Sequence, residues 1–186
     1  MHVLVTGGAG YIGSHMVHVL NDMNIKVTVI DNLSTGNIKH LPSNIELIKC
    51  NVGDEEKVYN IIKEKKISTV VHFAASVVVP ESVKNPIKYY NNNTSETIKL
   101  IKSCVKAKID NFIFSSTAAV YGNPKNHIVV ENSDKFPESP YGMSKLISEK
   151  IIEDTFSTYA ISYIVLRYFN VAGADTHGRT GQTNLP

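Results

Sequence analysis

At 186 residues, with 42% hydrophobic and 19% charged side chains, the chain has the make-up of an ordinary globular domain with one sizeable core. Its formal net charge of +2 comes with lysines scattered along the chain, which argues against nucleic acid as a partner. No signal peptide precedes the first apolar run and no run approaches membrane-spanning length, so a cytoplasmic protein is expected.

The first thirteen residues organise the rest. Val3 to Val5 reads as a buried strand that breaks into Gly7, Gly10 and Gly13, with Gly8 adding a G-x-G-x-x-G pattern over Gly8, Gly10 and Gly13. Ile12, Met16, Val19, Leu20 and Met23 then repeat at helical spacing. Glycines permit the sharp turn and let a pyrophosphate approach the backbone, while the free N–H groups at a helix start hold its charge. A glycine-rich turn that binds nothing is the competing reading. A second strand, Val27 to Ile30, argues against it by ending in Asp31, eighteen residues past Gly13, where a carboxylate accepts hydrogen bonds from a ribose diol. That carboxylate repels a 2′-phosphate and Asp31-Asn32-Leu33 offers no arginine, so NAD is expected over NADP.

The polar loop from Asn32 to Asn44, with Ser34-Thr35-Gly36-Asn37, either wraps an adenosine or is a surface connection. Glu46 to Cys50 is a third strand. Gly53-Asp54-Glu55-Glu56 opens a helix with an acidic first turn and a buried stripe of Val58, Ile61 and Ile62. Lys63-Glu64-Lys65-Lys66 reads as its solvated end. Thr69 to Phe73 is a fourth strand followed by Ala74-Ala75, small enough for a cofactor to cross or for a helix to pack tightly. Pro80 and Pro86 punctuate a loop and short helix, and Asn91-Asn92-Asn93 leads into a helix with Ile98, Ile101 and Val105 inward. A fifth strand, Asn111 to Ser115, ends in Ser115-Ser116-Thr117, and Ala118 to Glu138 reads as irregular.

Pro140 opens a long helix on which Tyr141 and Lys145 share a face, with Leu146, Ile147, Ile151 and Phe156 as buried positions. A sixth strand, Ile161 to Tyr168, precedes a polar tail. Alternating strands and helices predict an α/β fold, a doubly wound parallel sheet in the order 3-2-1-4-5-6, with ligands at the carboxyl ends of the strands. Cys50 and Cys104 have no metal or redox spacing and are expected in the core. His15 and His18 lack a third ligand and read as ordinary helix-surface residues, so no metal is expected.

A tyrosine and a lysine one helical turn apart have a chemical use. Free tyrosine titrates near pH 10; lowering that by about three units takes about 4 kcal/mol, which a close ammonium and a nicotinamidium can supply. Thr117 would hydrogen-bond the same substrate oxygen. Such a pair occurs by chance in many helices; behind a dinucleotide fingerprint and a Ser-Ser-Thr strand end it points to catalysis.

With these stretches in hand, the chain resembles the N-terminal part of the extended short-chain dehydrogenase/reductases, and within them the branch of UDP-hexose 4-epimerases acting on UDP-glucose and UDP-galactose. The resemblance rests on Val5-Thr-Gly-Gly-Ala-Gly-Tyr-Ile-Gly-Ser-His15, Asp31-Asn-Leu33, His72-Phe-Ala-Ala75, Glu81-Ser-Val83 and Tyr89-Tyr-Asn-Asn-Asn93. It continues through Asn111-Phe-Ile-Phe-Ser-Ser116, Val120-Tyr-Gly122, Ser139-Pro-Tyr-Gly142, Ser144-Lys-Leu146 and Leu166-Arg-Tyr-Phe-Asn170.

The resemblance implies a division into a Rossmann NAD-binding domain over 1–170 and the start of a truncated substrate-binding region over 171–186. It places Gly7, Gly10, Tyr11, Ile12 and Gly13 at the pyrophosphate, and Asp31, Asn32, Leu33, Ser34, Thr35 and Gly36 at the adenosine ribose. Asn51 and Val52 would flank the adenine, Phe73, Ala74, Ala75, Val77 and Asn92 would line the cofactor, and Phe169 would pack near nicotinamide. Thr117 and Tyr141 would meet the sugar, Lys145 the nicotinamide ribose, and Asn170 the diphosphate side of the substrate. In the family mechanism Tyr141 removes the proton from the 4-hydroxyl as hydride passes from C4 to NAD; the 4-keto sugar turns over and hydride returns to its other face. The resemblance also implies galactose metabolism and a homodimer. Asn51 stands where aspartate is common, Val77 where lysine is common, and Asn170-Val171 replaces a frequent Asn-Pro. Asn184-Leu185 resembles a substrate-binding dipeptide. Three alternatives remain open: an epimerase for another nucleotide sugar, a 4,6-dehydratase, and an inactive NAD-binding remnant. The dehydratases carry an acidic residue after the strand-end hydroxyl, where this chain has Ala118 and Ala119.

Overall fold

A computed structural model describes residues 1–124 and 128–183. Six strands, β1 (His2–Thr6), β2 (Lys26–Asp31), β3 (Glu46–Lys49), β4 (Thr69–His72), β5 (Asn111–Thr117) and β6 (Ser162–Tyr168), form one sheet in the order β3-β2-β1-β4-β5-β6. Every pairing is parallel, as expected, with Val5 opposite Val29 on one side and Val71 on the other. The strand order reverses between β1 and β4, so the crevice outside their carboxyl ends is where a ligand fits this architecture. β5 runs two residues beyond the expected end and takes Ser116 and Thr117 into the sheet, paired with Arg167 and Tyr168.

The helices are α1 (Tyr11–Asp22), α2 (Glu55–Glu64), α3 (Val79–Lys84), α4 (Pro86–Tyr89), α5 (Glu96–Ala107) and α6 (Pro140–Tyr159). Pro80 and Pro86 sit in the first turns of α3 and α4, where a missing N–H costs nothing. Asn91 to Asn93 do not merely precede a helix: Tyr90–Ser95 is a π-helical turn continuous with α4 and α5. The segment after β5 is less irregular than expected, opening with a 3₁₀ turn over Ala118–Tyr121.

The two faces of the sheet are unequally covered. On one, α2, α5 and α6 bury Leu4, Ile30, Val70, Phe112 and Phe114 beneath Val58, Ile62, Leu100, Cys104, Ile152 and Phe156. On the other, α1 contributes Val17 over Val3, Val5, Val27, Val29 and Val71, while Ile164 on β6 is left 56% exposed. Cys104 is in the core as expected; Cys50 only packs against its margin.

Two helices bury different faces from those expected. On α1 the inward residues are Gly13, Ser14, Val17 and His18, and the apolar Val19 and Met23 face out. The helix is drawn against the glycine turn through its smallest side chains, which rotates the apolar stripe away. His18 is therefore no surface residue; its ring Nε2 pairs with the His40 carbonyl at 3.0 Å. On α6 the buried positions are Gly142, Ser144, Lys145, Ser148, Glu149, Ile152 and Phe156, with Leu146, Ile147 and Ile151 only half-buried. Its C-terminal half anchors in the core, and its N-terminal half buries polar groups instead.

His72 ends β4 inside the core, stacked on Phe114 at 5.7 Å between ring centroids. Thr97 commits its hydroxyl proton to the Asn93 carbonyl at 2.7 Å, so it accepts from His72 Nε2 at 2.9 Å. Nδ1 then accepts from Thr6 at 2.6 Å, which defines a neutral ring. Burial lowers its pKa from 6.5 to about 3, with Lys145 adding to the effect. In the window between those values the unfolded chain binds a proton that the folded chain refuses. This contribution is thus complete above pH 6.5 and lost as the pH falls toward 3. Urea unfolding between pH 4 and 6 should show a slope about 1.4 kcal/mol per pH unit shallower in His72→Gln than in the wild type. Parallel pH profiles for the two proteins would show that His72 is not carrying this effect.

Candidate active site

The glycine turn does three different jobs. Gly7 has a positive φ of 67°, and a Cβ there would stand 2.5 Å from the Ala74 nitrogen. The small residues after β4 are thus used for close packing of the turn against Ala74. A Cβ on Gly13 would stand 2.2 Å from the Gly7 carbonyl oxygen, so this glycine lets α1 approach the turn. At Gly10 a Cβ would meet only that same oxygen, at 3.2 Å. Position 10 is the least crowded of the three, at the head of a helix whose first N–H groups lack intrahelical partners. An anion fits there, as the donor set and the helix dipole both require.

Asp31, buried at the end of β2, accepts from the Ala9 amide at 3.0 Å and from the Leu33 amide at 2.8 Å. Each carboxylate oxygen keeps a further lone-pair site for a diol. The loop after it bends back onto the turn, with the Asn37 amide donating to the Ala9 carbonyl at 2.9 Å. Asn32, Ser34 and Thr35 are exposed beside it, and Leu33 takes a left-handed φ of 60°. Gly36 packs close to Ala9 and Asp31. This places the loop at the mouth of the turn rather than leaving it a remote connection. Tyr11, Ile12, Phe73, Ala74, Ala75 and Asn92 are all half-buried at the same carboxyl edge, Val52 is buried and Asn51 exposed at the end of β3. Val77 is exposed.

The second cluster forms where α6 crosses β5. Thr117 stands near enough to Tyr141 to pull its phenol pKa down, and its hydroxyl oxygen caps the Ala119 amide at 3.1 Å. Lys145 Nζ donates to the Ser115 carbonyl at 2.8 Å and lies 4.8 Å from the centroid of the Phe114 ring. Close approach needs small residues: a Cβ on Gly142 would stand 2.7 Å from the Ala119 carbonyl oxygen. The π turn supplies the polar partners of the same helix. Asn93 donates to Ser144 Oγ at 3.1 Å, and its carbonyl accepts from Ser148 at 3.0 Å. Asn92, the expected contact residue, donates to Ser76 Oγ at 3.2 Å.

Burial dominates the electrostatics of both Tyr141 and Lys145. Burial raises the Tyr141 phenol above its usual value, against a downward pull from Thr117. In this structure the Lys145 Nζ donates to the Ser115 carbonyl. Burial brings Lys145 itself down to about 7, while the Glu149 carboxylate pulls it up. Glu149, Arg167 and Asn93 were missed as site-forming residues. Glu149 was detectable in principle, since 141, 145 and 149 share one helix face and a charge on a buried face demands a partner.

Phe169, expected against a nicotinamide, is 70% exposed past the end of β6. With Ala118, Tyr121, Gly122, Pro124 and Val129 it lines a hollow of about 150 Å³. A larger open hollow of about 330 Å³ along α2 touches none of the expected site residues. Asn170 is exposed, and Asn184-Leu185 lies outside the described residues. Beyond β6 the tail folds back on α1: Tyr11 donates to the Gly173 carbonyl at 2.7 Å, and Ser14 pairs with Thr180 at 2.6 Å. Arg179 joins Asp22 to Asp175 with contacts of 2.8 Å. Among the described residues no group of His, Cys, Asp and Glu has the arrangement to hold a metal, and no helix is long and apolar enough to cross a membrane.

This combination, an open glycine turn at a sheet reversal and a Tyr–Thr–Lys cluster on the same edge, belongs to the nucleotide-cofactor class of α/β proteins. The sequence profile of the NAD dependent epimerase/dehydratase family matches residues 3–185, and the chain belongs to that family. A UDP-glucose 4-epimerase of Azospirillum brasilense is 46% identical over 180 residues, covering 97% of this chain and 52% of that protein. A probable UDP-arabinose 4-epimerase 3 of Arabidopsis thaliana is 40% identical over 194 residues, covering 100% and 47%. The crystal structure of a UDP-glucose 4-epimerase from Brucella ovis in complex with NAD superposes with a TM-score of 0.94 at 38% identity, over 98% of this chain and 56% of that one. The chain spans about half the length of the curated relatives it matches.

The glycines predict two distinct failures. Gly13→Ala forces backbone apart and should lower the unfolding free energy by about 1–3 kcal/mol, the usual cost of overpacking. Gly10→Ala, which meets one oxygen and weakens the N-cap of α1, should cost less, about 1 kcal/mol or under. Equal losses in a urea titration would refute the separation of packing glycine from open glycine.

Proposed function

We propose that this chain binds NAD at the glycine turn and carries the proton-transfer groups for epimerising a UDP-hexose at C4, UDP-glucose and UDP-galactose being the pair. The observation that carries the reading is that Tyr141 and Lys145, one helical turn apart on α6, both meet the end of β5, at Thr117 and at the Ser115 carbonyl. The residues fit the cofactor on their own chemistry. Gly10 leaves the backbone open, the amides of Tyr11, Ile12 and Gly13 suit a pyrophosphate, and Asp31 suits a ribose diol. When bound, NAD supplies the hydride acceptor and donor for C4 of the sugar.

The protein groups then handle the proton and the orientation. Thr117 hydrogen-bonds the 4-oxygen and holds it against Tyr141, which takes the hydroxyl proton as the C4 carbonyl forms and gives it back when the carbonyl is reduced on its other face. A buried phenol is a poor base until positive charge stands near it, which is the task of Lys145. We assign residues 1–170 to the cofactor unit and 171–186 to the start of a substrate-binding region. Cytoplasmic location, a homodimer and a place in galactose metabolism go with this reading. One relative named for UDP-arabinose makes that sugar nucleotide the alternative to assay beside UDP-glucose.

In a protein carrying residues 1–186 with the second half that its relatives possess, Tyr141→Phe keeps the ring and removes the proton acceptor. Turnover should fall by a factor of roughly 10²–10⁴ while the dissociation constant for NAD barely changes. Normal turnover by that variant would mean another group is the base. Asp31→Ala should narrow the preference for NAD over NADP, read from both dissociation constants by fluorescence titration. Tighter binding of NADP by the wild type would overturn the cofactor assignment.

A further inference from the structure

Behind the Tyr141–Lys145 face lies a buried ion pair. Glu149 is one turn beyond Lys145 on α6 and only 6% exposed. Its carboxylate accepts from the Ser116 hydroxyl of β5 in a very short hydrogen bond, and from Arg167 of β6 through Nε at 3.0 Å and Nη2 at 2.8 Å. Arg167 spends its remaining fork on the Tyr121 hydroxyl and the Glu131 carbonyl, both at 2.8 Å. One carboxylate thus ties α6 to two adjacent strands and, through Arg167, to the segment that follows β5. Ser115 and Ser116 bond Lys145 and Glu149, and Thr117 stands next to Tyr141, so the strand end and the helix are fastened at two successive residues and meet at a third.

A pair of this kind is costly to bury unless every lone pair is answered. Tight hydrophobic packing would hold the helix as well, and the C-terminal half of α6 shows that packing in Ile152 and Phe156. The charge at 149 therefore has a use beyond adhesion. We propose, building on the function above, that Glu149 is a positioning residue for the reaction: it sets the register of α6 on β5 and supplies the negative charge that Lys145 answers, with Arg167 limiting how much of that charge Lys145 receives. The other ionisable groups near Lys145 are His72 of β4, which is neutral, and Tyr141 of its own helix, with Tyr89 of α4, which burial and Glu81 push up to about 12, packed against Tyr141. Glu149 is the group that favours the ammonium; burial opposes it.

The two partners make opposite predictions, which a merely structural role does not. In the chain labelled with ¹³C-lysine, the Lys145 resonance, identified by its loss in Lys145→Arg, reports the titration midpoint. Glu149→Gln should move that midpoint down by about one pH unit, Glu149→Asp should hold it near the wild-type value, and Arg167→Gln should move it up. In the longer protein Glu149→Gln should lower kcat with KM little changed, and shift the rising limb of the pH profile upward, since Tyr141 would lose its ammonium. An unmoved midpoint in folded Glu149→Gln, or shifts of the same sign in Glu149→Gln and Arg167→Gln, would overturn the proposal. Should Glu149→Gln fail to fold, a midpoint in Arg167→Gln that stays or falls does so by itself. Absent epimerisation by the wild type would sink the functional reading, while the lysine titrations would still decide the role of Glu149.

Discussion

The inward face of α6 is polar where it crosses the carboxyl edge of the sheet, and each group on it has to be answered before that edge can be buried. An unanswered hydroxyl or charge in such a place costs from one to several kcal/mol, comparable with a large share of a domain's net stability. The surrounding structure supplies the answers. The π turn widens the backbone so that the Asn93 carbonyl serves both Thr97 and Ser148, while the Asn93 side chain serves Ser76 and Ser144. β5 offers a carbonyl to Lys145 and a hydroxyl to Glu149, and β6 offers Arg167.

That arrangement divides one helix into two functions. Ile152 and Phe156 anchor its far half in the core, so the near half can hold Tyr141 and Lys145 at fixed depth while burying mainly polar groups. Rigid placement on a helix and a central strand suits groups that must meet a substrate oxygen within a fraction of an ångström. The glycine turn applies the same principle on the other side of the reversal. Gly7 and Gly13 use their missing side chains for packing, which leaves Gly10 as the open face. A π-helical turn beneath an active edge also fits a recurrent pattern, since such widenings concentrate near functional sites.

The sheet is less complete than the cofactor edge. Three helices seal one face, while on the other Ile113 is half-buried and Ile164 exposed. The described part of the tail is tied to both ends of α1, through Tyr11 and Ser14 at its start and Arg179 at its end. Relatives about twice as long have further chain with which to cover such a face.

Strand order, parallel pairing, the glycine turn with Asp31, and the Tyr141–Lys145 spacing were all legible along the chain, because each depends on local periodicity or on a short-range backbone requirement. Contiguous valines and isoleucines announce buried strands, and glycine spacing announces a turn that side chains cannot enter. The orientation of α1 and α6 was not legible. Apolar Val19 and Met23 on α1 face outward, while Ser144, Ser148 and Glu149 on α6 face inward, because the helix approach is decided by how close two backbones come and by which distant groups satisfy a buried hydroxyl or charge. The charge on Lys145 belongs to the same class: its sequence neighbours made it a partner for Tyr141, whereas Ser115, Glu149 and the surrounding core determine where its ammonium points and how firmly it holds its proton.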